Sequence, residues 1–110
     1  DLPGFPRAEQ RFLAFLIGSQ RYSIDTKFLG ELPRAWREPA LRVAMLLRLA
    51  VLLNRSRSAN DMPDIAVTVD DASIDLAFDA EWLTANPLTV ADLDREIGYA
   101  QEIGYTLTFS

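Results

Sequence analysis

A chain of 110 residues is one domain, or two small lobes sharing an interface, and its 49% apolar content supports a packed core and argues against disorder. Cysteine and histidine are both absent. This excludes disulfide and thiol chemistry and removes the commonest metal ligand together with the usual general base at neutral pH.

The net charge of −5 is unevenly spread. Residues 1–58 carry ten basic against five acidic side chains, and residues 59–110 carry one against eleven, giving +5 and −10. Two lobes with different electrostatic partners fit that split, and so do two halves that attract each other.

Residues 1–6 hold Pro3, Gly4 and Pro6 and form a lead-in. Residues 7–20 place Phe12, Phe15 and Leu16 at helical spacing, with Leu13 and Ile17 across the face and Gly18 near the end. A connector with Gly30 and Pro33 follows, with a helical turn predicted around residues 27–32. Pro39 suits the first turn of the next helix, where a missing N–H costs nothing. That helix runs to about residues 56–58. Nearly every position from Leu41 to Leu53 is apolar, and a helix apolar almost all round belongs inside its domain. Its longest apolar run, residues 43–53, is interrupted by Arg48 and too short to span a bilayer.

Residues 58–63 mark a boundary, after which the period changes to two. Ile65, Val67 and Val69 alternate with Ala66 and Thr68, and Ile74, Leu76 and Phe78 alternate with Asp75 and Ala77. Joined through residues 70–73, they read as a β-hairpin. Residues 79–83 form a helical turn stopped before Asn86-Pro87. Thr89 then caps a helix, with Asp92 completing a variant capping box and Val90, Leu93, Ile97 and Ala100 as the buried stripe. Gly104 stops it, and Tyr105, Leu107 and Phe109 form a last strand. The fold class is α+β: a helical lobe, residues 1–60, then a ββαβ lobe, residues 61–110, with a three-stranded antiparallel sheet in the order 2-1-3.

Arginines are the candidate site residues. Arg48 and Arg55 lie seven residues apart and share a helix face with Ala44 and Val51. A guanidinium cannot lose its proton, so it needs carboxylates, phosphates or water. Arg21, Arg48, Arg55 and Arg57 could line a groove for a polyanion; alternatively, Arg48 and Arg55 bridge to acids or cap helix carbonyls. The acidic residues show no calcium-loop spacing and are assigned no chemistry. Trp82 reads as a packing knob. Trp36, between Arg34 and Arg37, reads as a surface or interface tryptophan, with stacking on a base or sugar as the alternative.

The run LLRLAVLLNRSR at residues 46–57 leads to Phe78, Trp82-Leu83, Asn86-Pro87-Leu88, Asp92-Leu93, Glu96 and Gly104-Tyr105. Together these blocks resemble the C-terminal region of exopolyphosphatases and guanosine pentaphosphate phosphohydrolases. Residues 15–21, ending Ser19-Gln20-Arg21, resemble a shorter motif of that family. The resemblance implies that the helical lobe is part of an HD-like helical domain. It implies a catalytic centre in a separate actin-like domain, so no catalytic residue, metal ligand or cofactor is expected here, and magnesium would belong to that other domain. It implies that Arg21, Arg48, Arg55 and Arg57 help hold polyphosphate, or guanosine pentaphosphate, in a positively charged passage. Where many relatives have His beside Arg, this chain has Gln20-Arg21, which argues against metal chemistry and leaves the choice of substrate open. A cytoplasmic homodimer is expected, with neither a membrane span nor sequence-specific nucleic-acid binding. The chain lacks an initiator Met and reads as a piece of a longer phosphohydrolase. A pure dimerisation or adaptor module is the alternative.

Overall fold

A computed structural model describes Glu9, Arg11, Phe15, Leu16, Gln20, residues 26–56 and residues 64–110. Glu9, Arg11, Phe15 and Leu16 are helical, as the first apolar pattern predicts; most other residues of that pattern and the boundary at residues 58–63 lie outside the described residues. The chain divides into two compact units, Asp1–Leu49 and Ala50–Ser110, with the division inside a helix.

A short helix α1, Thr26–Gly30, lies in the first unit and precedes the long helix α2, Arg34–Ser56, whose residues to Leu49 belong to the first unit and the rest to the second. Arg37 stitches the two by donating from Nε to the Leu32 carbonyl at 3.1 Å and from a terminal nitrogen to the Gly30 carbonyl at 3.0 Å. The Gly30 carbonyl is one that the end of α1 cannot bond within the helix, and the charged donor satisfies it. Helix α2 starts five residues before Pro39, so Pro39 sits inside it rather than opening it. The turn is set instead by Pro33, whose carbonyl accepts from Trp36 N at 2.9 Å.

The expectation that α2 is buried all round is also corrected. Ala40, Leu41, Ala44, Met45, Leu49 and Leu52 are buried, whereas Val43, Leu47 and Val51, at i, i+4 and i+8, stay exposed. Apolar composition shows that a face favours cover; it does not show that the same chain supplies it.

The second unit holds β1, Ala66–Asp70; β2, Ser73–Ala77; α3, Ala80–Ala85; α4, Pro87–Glu102; and β3, Thr106–Phe109. The hairpin forms as predicted, with Asp70 opposite Ser73 and Val67 opposite Leu76. Its turn puts Asp71 in the left-handed region at φ 49°, which aspartate tolerates better than most residues.

The sheet is mixed, in the order β1-β2-β3, with β3 parallel to β2. The predicted antiparallel sheet and 2-1-3 order are therefore wrong. Between β2 and β3 the chain passes through two helices, a crossover connection that delivers a parallel neighbour. Across this pair Thr108 donates its hydroxyl to Asp75 at 2.5 Å, and Ser110 N reaches the Leu76 carbonyl at 3.0 Å.

Helix α4 packs on β3. Leu93, Ala100, Ile74, Leu76, Tyr105 and Leu107 form the apolar core of this unit, joined by Thr89 and Glu96 from α4. The predicted stripe is thus corrected: Val90 and Ile97 are only half-buried, and the buried face is rotated toward Thr89 and Glu96. The helix ends as predicted at Gly104, φ 81°. Gly104 N donates to Gln101 O at 3.1 Å and Tyr105 N to Ala100 O at 2.8 Å, the paired bonds of a Schellman motif.

Candidate functional site

An open cleft of about 500 Å³ in the second unit is lined by Arg55, residues 85–89 and Asp92. It is built from the junction of α3 and α4. Asp79 caps α3 by accepting from Glu81 N at 3.1 Å, which fixes the start of that short helix. Trp82 is buried and lies flat against Phe78, with ring centroids 5.4 Å apart and planes 6° from parallel. Its indole N–H has no hydrogen-bond partner among the described residues.

Asn86 then terminates α3 and precedes α4. Its side-chain amide donates to the Trp82 carbonyl at 2.7 Å and makes no cap on α4. Pro87 opens α4 with its fixed φ and missing N–H. The predicted cap at Thr89 is corrected by this start, which puts Thr89 inside the helix and buries it. Asp92, the other half of the expected capping box, is bonded by Arg95 at 2.6 Å.

The cleft therefore faces the first turn of a 16-residue helix that its N-cap side chain leaves uncapped. The exposed Arg55 guanidinium stands at the same cleft. Both features favour negative charge; the helix end alone is worth about 0.3–1 kcal/mol to an exposed anion. Asp92 opposes them, and Arg95 partly offsets that carboxylate.

Of the four predicted arginines, Arg55 lines this cleft and Arg48 is not among its described lining residues. Arg48 is only 6% exposed and is engaged by a partner. Arg21 and Arg57 lie outside the described residues. The helix face expected to carry Ala44, Arg48, Val51 and Arg55 is real in angle yet divided in environment: the first two are buried and the last two exposed. Sequence reasoning missed residues 85–89 as part of a site. Asn-Pro at a helix start was the available signal.

The first unit has its own concavity, a groove of about 520 Å³ lined by Glu9, Ala35, Trp36, Pro39, Ala40 and Val43. Pro39 lacks the N–H that would bond the Ala35 carbonyl, so the helix wall there is interrupted at its backbone. Trp36 is half-buried and has a partner. Among the described residues no group of three or more carboxylates could hold a metal ion, and no helix is long and apolar enough to cross a membrane.

The profile of a phosphatase domain, domain III of the Ppx/GppA phosphatases, matches residues 1–97. The chain belongs to the Ppx/GppA phosphatase family and corresponds to its C-terminal region. It is 37% identical over 110 residues to the guanosine-5'-triphosphate,3'-diphosphate pyrophosphatase of Vibrio parahaemolyticus, covering 100% of this chain and 22% of that protein. The protein of the same name from Vibrio campbellii is 37% identical over 108 residues, 98% of this chain and 21% of the relative. That of Photobacterium profundum is 35% identical over 107 residues, 97% of this chain and 21% of the relative. The chain thus spans about a fifth of the length of these relatives.

Proposed function

We propose that this chain is a non-catalytic segment of a phosphoanhydride hydrolase that helps hold a phosphate-rich substrate, polyphosphate foremost, while chemistry occurs in another domain. The observation that carries this reading is the position of Arg55 at the cleft with the uncapped N-terminus of α4. Guanidinium forks and first-turn amides both match phosphate oxygens, and neither has to be deprotonated or reorganised to do so. The basic balance of residues 1–58 supports the same reading.

The names of the relatives favour a second substrate, guanosine pentaphosphate, held through the same cleft. A third role, contact between two copies, rests on the exposed Val43 and Leu47 of α2. Titration of the chain with long-chain polyphosphate and with guanosine pentaphosphate, at low and high salt, tests the first two. Binding that weakens steeply with salt and is reduced by Arg55→Ala is the result expected. No binding of either ligand at low salt would refute the anion-holding role.

A further inference from the structure

Among the described residues strand β1 is an outer strand of the sheet, and all five of its residues are exposed. In an antiparallel pair, residues alternate between those whose N–H and C=O face the partner strand and those whose groups face away. Asp70 and Ser73 are the closing pair of a two-residue turn. Thr68 and Ala66 therefore also bond toward β2, and Val67 and Val69 aim their main-chain groups off the sheet.

The side chains of the same two valines share the face of Leu76 and Ile74, their register partners, both of which are buried. Helix α4 packs on β3, and no contact between α4 and β1 is present among the described residues. Val67 is left 52% exposed and Val69 39% exposed. The opposite face carries Thr68, Asp70 and Asp75. An edge of this kind is normally blunted by lysine, proline or a bulge. Residues 58–94 contain no basic side chain, and β1 contains no proline.

We propose that β1 is a docking edge for an extended segment of a partner protein in which apolar and basic residues alternate. Such a segment adds a fourth strand by β-augmentation. Its main chain pairs with Val67 and Val69, its apolar residues cover the two valines, and its basic residues meet the exposed Asp70 on the other face. A second copy of this chain fits poorly. Antiparallel pairing of β1 with itself brings the exposed Asp64 and Asp70 of one copy toward Asp70 and Asp64 of the other, and like charges across strands are unfavourable.

A fluorescent peptide of alternating Lys and Val, titrated against the chain, tests the proposal. The controls are a Glu/Val peptide of the same pattern, a scrambled Lys/Val peptide and a version N-methylated on one edge. Binding of the alternating Lys/Val peptide alone is expected, with slowed amide exchange at Val67 and Val69. Val67→Pro removes an outward N–H while leaving the bonds to β2, and should lower affinity at least tenfold. Asp70→Asn should lower it severalfold, and chiefly at low salt. The N-methylated peptide makes the same point without altering the protein, should the proline variant fail to fold. Equal binding of the scrambled or N-methylated peptide would mean charge attraction alone and would overturn the proposal. So would self-association in sedimentation that Val67→Pro abolishes, because the occupant would then be a second copy.

Discussion

Asn86 turns its side-chain amide back to the Trp82 carbonyl, 2.7 Å away, and so caps the helix it ends rather than the one it begins. One residue thereby fixes the C-terminus of α3 and leaves the first turn of α4 facing the cleft. If that turn holds phosphate, Asn86→Asp should exclude it. A carboxylate is a better N-cap than an amide already committed elsewhere, and it also repels an anion. The variant is expected to keep its stability within about 1 kcal/mol, measured by chemical denaturation. Its affinity for polyphosphate should fall at low salt. Affinity equal to that of the parent chain would count against the helix end as a phosphate contact.

Arg48 and Arg55 should separate cleanly. Arg55 is exposed, so Arg55→Ala should change stability by no more than about 0.5 kcal/mol. It should weaken polyphosphate binding and flatten its salt dependence by about one unit of slope. Arg48 is buried and engaged, and Arg48→Ala leaves its partner without it. A loss on the order of 1–3 kcal/mol is expected, with binding altered only through stability. Thermal melts and binding isotherms on both variants check the contrast. A stable Arg48→Ala protein with impaired binding would reverse these assignments.

Two glycines test backbone against packing. Added Cβ atoms at Gly98 and Gly104 meet no atom within 4 Å, so neither substitution creates a clash. Gly98 is inside α4, where alanine is favoured by about 0.5–1 kcal/mol. Gly104 holds φ at 81° to close the Schellman motif, where a side chain costs roughly 1–2 kcal/mol. Denaturation midpoints should therefore shift in opposite directions, upward for Gly98→Ala and downward for Gly104→Ala.

How much of this was legible in the sequence depends on whether the controlling physics was local. The hairpin was legible because period-two alternation and its turn are local, and Gly104 because a left-handed stop is local. Placement of β3 was not, since nothing in Leu107 or Phe109 says which strand they join; the crossover through α3 and α4 decides it. The arginine face was legible in angle, but Arg48 and Arg55 differ only in what covers them. Arg21 and Arg57 stay expectations, because neither lies within the described residues. The buried face of α4 was misread because Thr89 and Glu96 are polar types, which sequence patterns place outside.

That misreading gives a direct test. On the sequence pattern, Ile97 and Leu93 are equal members of one stripe, and either should be costly to truncate. In the structure Leu93 is 0% exposed, whereas Ile97 is half-buried. Leu93→Ala should therefore cost about 2–5 kcal/mol, through lost apolar burial and the cavity left among rigid neighbours. Ile97→Ala should cost less than half as much, because water already reaches part of the side chain and fills the space vacated. Urea denaturation of the two variants under one set of conditions decides it, provided the slope of the transition is unchanged. Equal losses would place the buried face of α4 back on the Val90, Leu93, Ile97 and Ala100 stripe.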